Sequence, residues 1–187
     1  MKFLPRLLVV ALMAYPLTAF AERPNYNHFD AGYLRHRLGS GCVQDGLEVG
    51  GSIEVSDRVF VAGNYSSVKS SKKDKESCGS SMLRGSAGIF GDFAEDGTFY
   101  GALSGQQFSP KNGDADIGWG AEAGLRTYLA RGIEGHVALG LIDVGPINEI
   151  YVSVGGIYWF DDIGVSLDIS TSDDDTSGVA LGARFSF

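Results

Sequence analysis

The fold class this sequence predicts is all-β: a transmembrane, antiparallel up-and-down β-barrel of about ten strands, with eight as the fallback. Three observations carry it. Glycine is in large excess, segments of about ten residues alternate apolar and polar side chains, and the N-terminus carries an export signal. All 27 glycines of the 187 residues follow Ala21. They make up about 16% of that stretch, against roughly 7% in ordinary domains. No Gly-X-Y period is present, which excludes a collagen. Val, Ile, Leu, Phe, Tyr and Trp are too plentiful between the glycines for simple disorder.

Residues 1–21 read as a secretory signal peptide. Lys2 and Arg6 form its basic start, residues 7–15 its short apolar core, and Ala19-Phe20-Ala21 an A-x-A cleavage site. The apolar core is shorter than the roughly 20 residues of a spanning helix. The barrel domain is then expected over residues 22–187. Removing Lys2 and Arg6 from the 15 basic residues leaves 13 against 23 acidic ones, a net charge of −10. Nucleic acid is not an expected partner of so acidic a chain. Beyond Ala21 no apolar run approaches 18 residues, so a membrane crossing has to be made by a closed barrel.

Ten segments alternate. In 26–37, Phe29, Ala31 and Tyr33 oppose His28, Asp30 and His36. In 47–55, Leu47, Val49, Ile53 and Val55 oppose Glu48, Gly50, Ser52 and Glu54. In 59–66, Val59, Val61 and Tyr65 oppose Phe60, Ala62, Asn64 and Ser66, and in 82–90, Leu83, Ala87 and Ile89 oppose Arg84, Ser86 and Gly88. The segment 99–108 alternates without declaring its facing. In 117–126, Ile117, Trp119, Ala121, Ala123 and Leu125 oppose Gly118, Gly120, Glu122, Gly124 and Arg126. In 134–141, Val137, Leu139 and Leu141 oppose Glu134, His136 and Gly140, while 149–160 is apolar on both faces. In 163–170, Ile163, Val165, Leu167 and Ile169 oppose Gly164, Ser166, Asp168 and Ser170. The last, 178–187, sets Val179, Leu181, Ala183, Phe185 and Phe187 against Gly178, Ala180, Gly182, Arg184 and Ser186.

The connections also alternate. Short turns are expected near 56–58, 130–132 and 161–162, with a somewhat longer one at 91–98. Longer loops are expected near 38–46, 67–81, 109–116, 143–148 and 171–177. Short turns at one end and longer loops at the other suit an outer-membrane barrel with both chain ends in the periplasm. A soluble sandwich or lipocalin-like barrel would alternate too, with its apolar face inside. The small polar face, rich in Gly and Ser, argues for a narrow polar interior instead.

The residues Gly182-Ala183-Arg184-Phe185-Ser186-Phe187 fit a terminal-strand pattern, G-x-x-aromatic-x-aromatic. On this motif and the ten alternating segments, the chain resembles the small, compact outer-membrane β-barrel proteins of Gram-negative bacteria, porin-like or OmpA-like in build. The family usually has a polar residue two positions before the glycine, and here Ala180 stands there. The resemblance implies that Gly182, Phe185 and Phe187 form the signal read by the barrel-assembly machinery. It also implies a location in the outer membrane, among its lipids and lipopolysaccharide, and a monomer is expected. It does not specify an activity.

Several residues could carry chemistry. Cys42 and Cys78 sit in the first two long loops, at one end of the barrel, and the export route is oxidising. A Cys42–Cys78 disulfide is expected, contributing about 3–4 kcal/mol, with two free thiols or a metal pair as the alternatives. No ligand set at metal-site spacing accompanies them, and no cofactor is expected. Glu48, Glu54, Arg84, Glu122, Arg126, His136, Asp168 and Arg184, with His28 and Asp30, are expected to face a narrow lumen and pair there. Gly32, Gly50, Gly88, Gly118, Gly120, Gly124, Gly140, Gly164 and Gly182 are expected to make room for them.

His36 lies nearest the extracellular rim. Some ten-stranded barrels are proteases with acidic and histidine residues at that rim, but no local motif marks a partner for His36. Lys69, Lys72, Lys73 and Lys75 could meet lipopolysaccharide phosphates. Asp173-Asp174-Asp175 reads as a solvated tip. The expected function is therefore non-catalytic: a structural or surface-interaction barrel with a largely plugged lumen. A narrow passive channel for ions or small solutes is the alternative, and a rim hydrolase a distant third.

Overall fold

The computed structural model describes residues 23–71 and 78–187. The expected signal peptide and the loop residues Lys72, Lys73 and Lys75 lie outside them. Ten strands follow one another: β1 (His28–Arg37), β2 (Val43–Ser56), β3 (Val59–Ser70), β4 (Ser80–Ala94), β5 (Gly97–Pro110), β6 (Asp116–Ala130), β7 (Ile133–Val144), β8 (Ile147–Phe160), β9 (Ile163–Ser172) and β10 (Ser177–Ser186). Each pairs antiparallel with its sequence neighbours, and β10 closes on β1, with His28 opposite Ser186 and Arg37 opposite Ser177. Closure leaves no sheet edge, so each strand is paired on both sides apart from bulges and strand ends.

The alternation expected from the sequence becomes the two faces of the wall. Leu47, Ile53, Leu83, Ile89, Leu103, Leu139, Ile150, Leu167 and Leu181 all stand on the outer face, each half exposed or more. That inverts the soluble-barrel pattern. The two segments of uncertain facing are resolved: Phe99 and Leu103 of β5, and Ile150, Val152, Val154, Tyr158 and Phe160 of β8, point out. Segment 149–160 looked apolar on both sides because Ile157 and Trp159 point in. Outward aromatics gather at the turn end of the barrel, where Phe29, Phe93, Phe99, Tyr158, Phe160, Phe185 and Phe187 are all about half exposed or more. This is the interfacial girdle of a membrane barrel.

Three expectations change. The first strand begins at His28 rather than residue 26, because Tyr26 leaves the sheet. The connection 91–98 tightens to Glu95-Asp96, since Gly91 to Ala94 go on pairing with β5 through a bulge at Phe93. The connection 143–148 shrinks to Gly145-Pro146, with Gly145 at φ 56°, a left-handed value that glycine takes at no steric cost.

Candidate functional site: the barrel lumen

Residues 23–27 precede β1 and fold back into the turn end of the barrel. Tyr26 carries this segment. Only 3% exposed, it stacks on Phe90 with ring centroids 4.3 Å apart and on Phe60 at 4.9 Å, with Tyr100 edge-on at 6.4 Å. Its hydroxyl lies 3.1 Å from Thr98 Oγ1, and the Arg126 guanidinium sits 4.6 Å from its ring centroid. Offset stacking and a cation over the ring are the favoured arrangements for an aromatic in a desolvated site.

The rest of the segment is tied to the wall around it. Arg23 Nη2 donates to Glu54 Oε2 at 2.9 Å and lies over Phe90, and Tyr26 N donates to Glu54 Oε1 at 3.3 Å. Asn25 Nδ2 donates to Ser186 Oγ, and Glu54 N donates to Asn27 Oδ1. Arg126 is shared between its strand neighbour and the segment. Its Nε donates to Glu134 Oε1 at 2.8 Å and its Nη2 to Asn25 O at 3.2 Å. Glu134 is fully buried, and Trp159 Nε1 satisfies its second oxygen. A charge buried this deeply persists only when both partners and the remaining lone pairs are satisfied.

Above this plug-like cluster the lumen is polar. Asp30 lies 3.3 Å from both His28 Nε2 and Arg184 Nη2, and His136 Nε2 is 2.6 Å from Asp168 Oδ1. Glu122 accepts from Tyr100 Oη at 2.6 Å and from Tyr151 Oη. Arg84, Glu122 and Tyr151 line a cavity of about 40 Å³ with Ser86, Ser104 and Gln106, space for very few waters. Toward the loops, Leu34, Val68 and Val144 are buried inside, and Gln44 donates to the carbonyl of Cys78. Cys42 and Cys78 form the disulfide, tying the β1–β2 loop to the β3–β4 loop. His36 faces inward beside Ser170 Oγ, over Gly178.

The nine glycines assigned to the interior all lie against other atoms there. A Cβ on Gly88 would come within 2.6 Å of Phe60 Cε1, on Gly124 within 2.7 Å of Tyr100 Cε1, and on Gly140 within 2.6 Å of Tyr151 Cε1. On Gly50 it would lie 2.6 Å from Asp30 Oδ2. Gly88, Gly124, Gly140 and Gly164 take the flank of a large side chain from the adjacent strand, whereas Gly32, Gly118 and Gly182 lie against neighbouring backbone. Two outward glycines, Gly85 and Gly105, have nothing within 4 Å, while outward Gly91, Gly97 and Gly135 lie under Phe99, Phe93 and Leu129.

Two of the pairs fall within the expected lumen set, His136 with Asp168 and Asp30 with Arg184, and others reach outside it. Arg126 pairs with Glu134, which the expected set omitted, and Glu54 pairs with Arg23. Tyr26, Phe90, Thr98, Tyr100 and Trp159 were not foreseen as lumen residues, and Phe60, although set on the polar face, was not singled out. Of the terminal motif, Gly182 faces in against Ala31 O and Ser166 Oγ, and Phe185 and Phe187 face out with their rings 6.4 Å apart.

No protein-family model and no curated sequence matches the chain. Solved structures do. The COG4313 outer membrane channel from Pseudomonas putida F1 superposes with a TM-score of 0.53 at 9% identity, over 92% of this chain and all of that one. The N-terminal β-barrel domain of Pseudomonas aeruginosa OprF gives 0.48 at 12%, over 87% of this chain and 100% of that one. A KdgM porin gives 0.47 at 10%, over 84% and 99%. At such identities the likeness is one of fold. The closed ten-stranded wall, its apolar exterior and its aromatic girdle are those of an outer-membrane β-barrel.

Proposed function

We infer that the chain is a non-catalytic, integral outer-membrane barrel whose own N-terminal segment closes the periplasmic end of the lumen, leaving its loops and outer wall to do the work. One observation carries this reading: Tyr26 stands inside the barrel, stacked between Phe60, Phe90 and the Arg126 guanidinium, where a conducting path would run. Eight strands enclose a lumen that side chains fill, and open aqueous pores need 16–18. Ten lie near the filled end. The terminal residues Gly182, Phe185 and Phe187 are taken to serve recognition by the assembly machinery.

A liposome-swelling assay on the refolded protein, with small sugars and amino acids as osmolytes, tests the reading. No swelling beyond empty liposomes is expected. Solute entry at rates above background overturns it in favour of the second reading, a narrow passive channel. That reading draws on the polar cavity around Arg84, Glu122 and Tyr151, and on the fold shared with a protein described as an outer membrane channel.

A further inference from the structure

Basic residues on the outer wall are unevenly placed. On the loop half of the described strands, outward-facing Arg and Lys side chains come only from β1 and β3: Arg35, Arg37 and Lys69, all exposed. The register gathers them. Arg35 is opposite Asp45 and Asp45 opposite Lys69, so the three form one row across β1, β2 and β3, with Arg37 two residues above Arg35. Directly beneath runs the row Tyr33, Leu47 and Ser67, in which Tyr33 is half exposed and Leu47 two-thirds exposed. The cations therefore begin where the apolar belt ends.

Their height fits. Eight residues separate Phe29, in the periplasmic girdle, from Arg37. At about 3.3 Å per residue and a tilt of about 40°, that is roughly 20 Å along the axis. The apolar band of such barrels is about 25 Å tall, so the Arg37 backbone stands about 5 Å below its upper edge and Arg35 about 10 Å below it, and their extended side chains carry the guanidinium groups up toward the headgroups. One carboxylate partly offsets them: Asp45 lies 3.5 Å from Arg35 Nε and accepts from Ser71 Oγ. Arg35 remains largely exposed, and the row keeps an excess of positive charge on an otherwise acidic chain. The Cys42–Cys78 bridge joins the two loops that bound these three strands. Asp174 and Asp175 lie beside Gly39, higher up and toward β10, while Asp173 accepts from Ile150 N on the far side.

We propose that this strip on β1–β3 binds the phosphorylated sugar headgroup of lipopolysaccharide, with its acyl chains lying along Tyr33, Leu47, Val49 and Tyr65 below. Guanidinium forks meet phosphate oxygens in charge-assisted, bidentate hydrogen bonds. Three cations spaced along the wall match a headgroup carrying more than one phosphate. The assignment rests on the outer-membrane placement of the barrel and not on whether its lumen conducts.

The test is native mass spectrometry of the refolded mature protein titrated with bis-phosphorylated lipid A, with lipid A stripped of phosphate, and with phosphatidylglycerol. Removing a cation beside an anionic surface weakens binding about fivefold. Arg35→Gln/Arg37→Gln/Lys69→Gln should therefore bind bis-phosphorylated lipid A about a hundredfold more weakly, whereas Asp45→Asn should bind it about fivefold more tightly. Arg58→Gln/Arg131→Gln, on the periplasmic turns, should bind like wild type. Equal binding of phosphate-free lipid A by wild type overturns the proposal and needs no variant to fold. Phosphatidylglycerol binding as tightly as lipid A overturns it in favour of a generic anionic contact. A protein giving no heat-modifiable, folded band in vesicles overturns the outer-membrane reading itself; a folded band without phosphate discrimination overturns this site alone.

Discussion

Replacing Tyr26 by alanine should open the barrel without unfolding it. The segment 23–27 makes one backbone hydrogen bond to the wall, accepted by Asn27 O from Phe187 N, and ordering its five residues costs about 1–2 kcal/mol each. Against that stand the contacts of one ring and a few polar ties. Truncating a buried aromatic removes about 3–5 kcal/mol. The lost stacking on Phe90 at 4.3 Å and the vacated face of Arg126 at 4.6 Å belong to that loss. The hydrogen bond with Thr98 adds about 1 kcal/mol. What remains is the Arg23–Glu54 pair, with the Arg23 side chain 37% exposed and so worth under about 1 kcal/mol, the backbone bond from residue 26 to Glu54, the bonds of Asn25 and Asn27, and the buried Pro24 side chain. These fall short of the ordering cost, so the segment should leave the lumen. In planar bilayers, wild type should give no discrete conductance steps, whereas Tyr26→Ala and a deletion of residues 23–27 both should. Tyr26→Phe, which keeps the stacking, should stay closed. Silence from both the alanine variant and the deletion would refute the reasoning, because the wall's own charges would then be the seal.

Four further outcomes follow from the same coordinates. Gly88 and Gly85 share β4 but face opposite ways, so Gly88→Ala, which drives a methyl into Phe60, should cost about 1–3 kcal/mol. Gly85→Ala, with open space around it, should fall within about 0.5 kcal/mol of wild type in urea unfolding in lipid. Arg126→Ala strands the fully buried Glu134 and should destabilise by about 3–5 kcal/mol, much of it recovered in Arg126→Met/Glu134→Met. Reducing the Cys42–Cys78 bond should lower the unfolding free energy by about 3–4 kcal/mol, and Cys42→Ser/Cys78→Ser should lose the same amount without further sensitivity to reductant. Phe187→Ala should reduce the heat-modifiable form in outer-membrane fractions while leaving refolding into synthetic vesicles unchanged, since Phe187 touches Phe185 outside the wall and no interior residue depends on its ring.

Much of the wall was legible because the pleat enforces a period of two. Once Leu47, Val49 and Ile53 share a face, Glu48, Gly50 and Ser52 must share the other, and pairing carries that choice around the closed sheet. The interior glycines were legible for the same reason, though not which side chain each accommodates. Gly124 serves Tyr100 and Gly140 serves Tyr151 through a register that sequence alone does not set. The N-terminal segment was missed because Tyr26 keeps the parity of β1, with Phe29 and Ala31 out and His28 in. A local pattern cannot distinguish a residue that continues a strand from one that turns into the lumen. A signal was nonetheless present: Phe60, Phe90, Tyr100, Ile157 and Trp159 all fall on the otherwise polar face, near one end. An apolar patch inside a polar barrel requires a cover, and Tyr26 is the aromatic adjoining that end. The pairing of Arg126 with Glu134 was hidden by register, since the β6–β7 hairpin sets Arg126 opposite His136 and Tyr128 opposite Glu134, so that the ion pair is a diagonal one.

Solid-state NMR of the uniformly labelled protein in lipid bilayers reaches the central claim, that the N-terminal segment occupies the lumen, most directly. Cross-peaks between the Tyr26 ring and the rings of Phe90 and Phe60, together with a rigid Tyr26 side chain, are the predicted result. A mobile Tyr26 with narrow lines and no contact to Phe60 or Phe90, in a barrel whose strand resonances are otherwise rigid, would contradict it.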